Sequence, residues 1–152
     1  MKLSENFSLR ELCFSPTALR FGIKNTPNEE QLNNLKNLVT FVLQPLRTYF
    51  NSPVIVTSGF RSEKLNALVG GKPTSQHQKG QAADIEVLNV PNGQVWRYIK
   101  DNLPYDQVIL EHVKKNDPYS GWVHVSYNEP QRKQALSCVS MGQYLNGEHY
   151  VG

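Results

Sequence analysis

The sequence predicts a single α+β domain. Its 152 residues suffice for one hydrophobic core and are short for two, since domains run to roughly 100–150 residues. One long segment carries apolar residues at helical spacing, while several short runs rich in Val and Ile, bounded by turn residues, read as strands. Hydrophobic residues make up 39% and charged residues 19%, the composition of a chain that packs a core rather than one that stays disordered.

Taken in order, Ser8-Leu-Arg-Glu11 fits a capping box, with Phe7 and Leu12 placed for a hydrophobic staple, and opens a short helix. Thr26-Pro-Asn-Glu29 repeats that logic with proline at the first helical position. Beyond it Leu32, Leu35, Val39, Val42, Leu46 and Tyr49 fall three and four apart, one continuous helix face. Pro45 lies inside the pattern and is expected to kink or shorten the last turn.

Val54-Ile-Val-Thr57 is a buried strand ended by Ser58-Gly59, and a short helix from about Ser62 to Leu68 follows. Gly70 to Ser75 is loop. It is no phosphate-binding P-loop, because Asn66 stands where the first glycine belongs and Pro73 where Ser or Thr is required. Ala82 to Val87 reads as a second strand, and Pro91 to about Asn102 as a helix carrying Val95, Trp96 and Ile99. Two further strands are Gln107–His112 and Trp122–Tyr127, separated by a polar turn with Pro118 and Gly121. Gln134–Ser140 is expected as an edge strand, before a frayed tail containing His149. The core is assigned to about residues 5–127, and 128–152 to a C-terminal strand and tail.

No apolar run approaches the roughly 20 residues that cross a bilayer, and the first residues lack the apolar stretch of a secretory signal. Synthesis and retention in a cytoplasm are expected. Cys13 and Cys138 make a poor disulfide framework and agree with a reducing compartment; both are read as buried packing residues rather than ligands. A net charge of +3 with dispersed Lys and Arg gives nucleic-acid binding little support and mildly favours an anionic partner.

The chemistry concentrates in Ser75-Gln-His-Gln-Lys-Gly-Gln-Ala-Ala-Asp84 and Gly121-Trp-Val-His-Val-Ser126. His77, Asp84 and His124 are residue types that bind zinc while leaving its fourth position open to water. Strand alternation puts Trp122, His124 and Ser126 on one face, and Asp84 and Glu86 opposite Ile85 and Val87. A His and an Asp seven positions apart also occur by chance, and most isolated histidines hold no metal.

The surroundings sharpen the reading. Thr57-Ser-Gly-Phe-Arg-Ser62, Ser75-x-His77-x-x-Gly80-x-Ala82-x-Asp84 and Trp122-Val-His124-Val-Ser126 resemble the LAS-type zinc peptidases. These are D-alanyl-D-alanine carboxypeptidases and L-alanyl-D-glutamate endopeptidases, and they include many phage endolysins. The resemblance implies a small, mainly antiparallel sheet packed by helices, with one zinc ion in a cleft on the sheet held by His77, Asp84 and His124. It further implies a zinc-activated water as nucleophile, with Arg61 stabilising the charge that develops on the attacked amide. Arg61, Ser75, Gln81 and Trp122 are the candidates for substrate contact. Each also has an ordinary reading: an ion-paired arginine, loop-capping polar groups, or a core aromatic.

The sequence departs from that family at one position. Many members place an Asp or Glu three residues before the last histidine as general base, and here that residue is Gly121. Glu111, at the end of the apolar strand Val108-Ile-Leu110, is the expected substitute, with Glu86 and Asp117 as weaker alternatives; burial would raise its pKa toward a useful range. His112, next in a regular strand, is expected to face away.

The function expected is hydrolysis of bacterial peptidoglycan stem peptides, by a D-Ala-D-Ala carboxypeptidase or an endolysin-type endopeptidase. The chain is expected to act as a monomer, released to the wall by a phage or prophage lysis system. Two alternatives belong to other classes: a non-catalytic zinc-containing binding module, as in the hedgehog signalling domain, which resembles this fold, and a structural virion protein.

Overall fold

The computed structural model describes residues 1–152. Helices α1 (Leu9–Cys13), α2 (Pro16–Arg20), α3 (Glu29–Leu38) and α4 (Gln44–Phe50) precede strand β1 (Val54–Ser58). Helix α5 (Glu63–Leu68), strand β2 (Ala82–Val87) and helix α6 (Asn92–Asn102) follow, then β3 (Gln107–Glu111), β4 (Trp122–Ser126), β5 (Gln134–Ser140) and β6 (Gln143–Asn146). The strands form one sheet in the order β1-β2-β4-β3-β5-β6. Every pairing is antiparallel except β3 with β5. No helix is long and apolar enough to cross a membrane.

Strand alternation gives the sheet two unlike faces. Val54, Ala83, Ile85, Val87, Val108, Leu110, Val123 and Val125 join one buried cluster with Leu35, Leu38, Val39, Val42, Leu43 and Leu46 of the long helical segment and Val95, Trp96 and Ile99 of α6. Burying such side chains is worth roughly 1.5–3 kcal/mol each, so this face supplies the stability. The opposite face carries Asp84, His124, Ile109, Glu111 and Trp122, left free for chemistry.

Local signals explain most boundaries. The Ser8–Glu11 capping box is present in full, and Phe7 and Leu12 are both buried. The cap of α3 is Asn28, not Thr26: its side chain accepts from the Gln31 N–H, and Gln31 reaches back to the Asn28 N–H. That box satisfies two N-terminal donors.

Pro45 leaves a helix that continues. Val39–Leu43 form a wider π turn, in which the Gln44 N–H reaches the Val39 carbonyl five residues back, and this slack takes up the missing donor and bulky ring of proline. The turn also brings Leu38 and Leu43 into the core and leaves Tyr49 exposed, stacked on Tyr98 with ring centroids 3.8 Å apart.

Two expectations for the C-terminal region are overturned. β5 is not an edge, because β6 covers its outer side. The tail is not frayed: the His149 N–H donates to the Ser137 hydroxyl at 2.9 Å and the Val151 N–H to the Val113 carbonyl at 2.8 Å. β6 follows β5 through the two-residue turn Met141-Gly142, with Gly142 at positive φ, whereas the Val151 contact joins segments distant in sequence.

Candidate active site

His77, Asp84 and His124 converge, with one potential ligand atom from each lying within 4.8 Å of the others. Asp84 and His124 are direct cross-strand partners on β2 and β4, so register sets their distance: His124 Nδ1 lies 3.0 Å from Asp84 Oδ1. His77 arrives from outside the sheet, on a 3-10 turn over Gln76–Lys79, and sets Nε2 at 3.5 Å from Asp84 Oδ2.

That turn is held from several sides. Ser75 Oγ accepts from the His77 N–H, while Gln31 and Asn34 of α3 donate side-chain amides to the Gln78 and Lys79 carbonyls. His77 Nδ1 lies 2.8 Å from the Gly59 carbonyl oxygen. A carbonyl only accepts, so Nδ1 carries the proton and Nε2 keeps a lone pair toward Asp84. Gly59 itself fits against α1 because it lacks a Cβ, which would overlap the Leu12 carbonyl oxygen.

The charge states agree. Burial lowers the His77 pKa, only partly opposed by Asp84, and favours neutral imidazole. Burial would raise the Asp84 carboxyl, but the hydrogen bond from His124 at its side outweighs it and holds it well below the usual carboxylate range. Two imidazoles and an ionised carboxylate, with the histidine tautomer fixed by a backbone carbonyl, are a donor set that fits zinc.

The trio opens into a cleft of about 640 Å³ whose walls include Arg61, Ser75, Glu111 and Trp122. Glu111 is paired with Trp122 across β3 and β4, one step along the same face from Ile109 and His124. Burial raises its pKa, with His124 pulling it down and Asp84 pushing it up. The Arg61 Nε is buried without a hydrogen-bond partner. Burial lowers the Arg61 pKa against the opposing pull of Asp84.

The family model described as peptidase M15 matches residues 5–126. The chain belongs to the peptidase M15 family. Membership implies zinc-dependent peptidase activity, and the centre formed by His77, Asp84 and His124 offers a place for the ion. No curated protein matches the chain.

Ser75 lines the cleft but commits its hydroxyl to the His77 turn. Gln81 is not among the cleft residues; its side chain meets Gln76 and Asn128 instead. Glu86 is paired with Ile55 toward the far edge of the sheet, and Asp117 caps the Tyr119 N–H in a turn, so neither lines the cleft. Cys13 is only partly buried, and Cys138 is buried beside Glu111.

His112 does not face away from Glu111. Its φ of 54° ends the strand in a left-handed turn, which breaks the alternation and brings Nε2 to 3.9 Å from Glu111 Oε2. Its ring lies 5.5 Å from that of Trp122. Histidine is among the residues that tolerate this backbone region.

The M15 match stops at 126, yet the cleft does not. Arg132, Leu136 and Tyr144 line it from beyond that limit, with Lys72 opposite. Lys72 Nζ stands 5.8 Å from the Tyr144 ring centroid. Arg132 is locked by Asp106, with Nη2 to Oδ2 at 2.7 Å, and Gln76 joins the same carboxylate at 2.9 Å. Sequence reasoning missed these residues because nothing in their own neighbourhood marks them.

Proposed function

We propose that the protein hydrolyses amide bonds in the stem peptides of bacterial peptidoglycan, as a D-Ala-D-Ala carboxypeptidase or an endolysin-type endopeptidase in a phage or prophage lysis system. One observation carries the reading: the three ligand side chains, the buried carboxyl of Glu111 and the guanidinium of Arg61 face a single cleft. The peptidoglycan assignment draws on the motif resemblance and on three cations, Arg61, Lys72 and Arg132, lining that cleft. They suit a peptide bearing free carboxylates.

His77, Asp84 and His124 would hold the metal. A zinc ion bound there acts as a Lewis acid and acidifies water toward a pKa of roughly 7. Glu111 takes the proton of the attacking water and passes it to the leaving amine, which requires a carboxyl whose pKa has been raised toward the working pH. Arg61 faces the carbonyl oxygen as it gains negative charge, and its buried, unpartnered Nε–H is a donor already stripped of water. Trp122 forms part of the wall against which the peptide lies.

Digestion of defined peptidoglycan by the zinc-loaded full chain, read by product masses, tests this. Release of terminal D-alanine marks a carboxypeptidase and internal cleavage an endopeptidase. Stoichiometric zinc with no product from any wall chemotype would sink the reading in favour of a non-catalytic module.

A further inference from the structure

Glu111 belongs to a second group of potential ligands. Apart from the trio, Glu111, His112 and Cys138 bring a carboxylate oxygen, an imidazole nitrogen and a sulfur within 4.8 Å of one another. Two backbone features put them together. Parallel pairing sets Glu111 beside Cys138 on β3 and β5. The left-handed turn at His112, whose N–H donates to the Cys138 carbonyl at 2.8 Å, returns its imidazole to the Glu111 side.

The spacing is close to what a metal needs. Zinc with bonds of roughly 2.0–2.3 Å in tetrahedral geometry separates its ligand atoms by about 3.3–3.8 Å, and Glu111 Oε2 and His112 Nε2 are 3.9 Å apart. A small side-chain movement closes the gap. The Cys138 sulfur is buried and its thiol donates to the Ser140 carbonyl at 3.2 Å. The His112 side chain is 38% exposed, which leaves the group an open side. Sulfur, nitrogen and oxygen donors in one place select a thiophilic divalent ion over magnesium or calcium.

We propose that Glu111, His112 and Cys138 form a second metal site, for a thiophilic divalent cation such as zinc, and that filling it withdraws Glu111 from the first centre and stops hydrolysis. The ligand is the Cys138 thiolate, its proton released to solvent on binding. Inhibition rests on the role proposed above for Glu111; the site itself does not.

Titration of the metal-free full chain with cobalt(II) under reducing conditions tests the site without reference to activity. Wild type is expected to bind two equivalents, one of them bringing thiolate-to-cobalt charge-transfer absorption. Cys138→Ser should lose that absorption and one equivalent while keeping the other, which also reports that it is folded. His112→Asn, a residue that tolerates the same backbone region, should likewise lose one equivalent, and Cys13→Ser should keep both.

In parallel, peptidoglycan hydrolysis by wild type should rise up to one equivalent of zinc and be lost at two, whereas Cys138→Ser should stay active with the excess. A single equivalent in wild type, or thiolate absorption that survives Cys138→Ser, would overturn the second site. Two equivalents with the absorption but undiminished hydrolysis at two would uphold the site and overturn the base role of Glu111, while no hydrolysis at either ratio would uphold the site and sink the hydrolase reading.

Discussion

Gly121 lies against the backbone of Glu111: with φ at 66°, a Cβ at position 121 would overlap the Glu111 carbonyl oxygen. Position 121 is therefore closed to a side chain, and Glu111 reaches the cleft from the adjacent strand β3.

Gly121→Asp should accordingly not move the base back. Left-handed backbone and overlap with β3 together cost about 2–5 kcal/mol, so the variant should unfold at markedly lower denaturant concentration. It should also fail to restore activity to Glu111→Gln. A stable, active double variant would show that the two positions are interchangeable.

Glu111→Gln keeps the shape and removes the proton acceptor. It should lower kcat by roughly 10²–10⁴-fold while one equivalent of zinc, measured by atomic absorption, stays bound at His77, Asp84 and His124.

Arg61→Ala should lower kcat by about 10²–10³-fold. A rise in KM alone, with kcat intact, would instead mark Arg61 as a ground-state contact for substrate.

Chelation should end hydrolysis without unfolding the chain, because the core lies on the opposite sheet face from the trio. Readdition of zinc at about 100-fold over its Kd should stabilise the fold by about 2.7 kcal/mol, seen as a higher Tm. Loss of far-ultraviolet circular dichroism on chelation would contradict this division of labour.

Burial would raise the Asp106 carboxyl, but hydrogen bonds from Arg132 and Gln76 win and hold it below its ordinary value of 3.8. A depressed folded-state pKa contributes stability that is present above the unfolded pKa and lost as pH falls through the folded one. Asp106→Asn should therefore cost about 1.5–3 kcal/mol near neutral pH, and the difference from wild type should shrink below about pH 4. Denaturant titrations of the metal-free protein across that range would measure it.

The helix cap at Ser8, the five strands from Val54 to Ser140 and the alternation that puts Asp84 and His124 on a polar face are all local properties, set by side-chain period and capping chemistry within a few residues. These elements and, through the motif blocks, the candidate ligands are legible from neighbouring residues alone. Tertiary structure decided what depends on distant partners. Cross-strand register brings Asp84 to His124, helix α3 holds the turn of His77, and Val113 holds the tail at Val151. The positive φ of His112 reverses the direction its side chain would have in a regular strand. Packing against Glu111 closes position 121, and the segment after residue 126 adds Arg132, Leu136 and Tyr144 to the cleft. Each of these rests on a contact across the fold, whose energy no window of neighbouring residues contains.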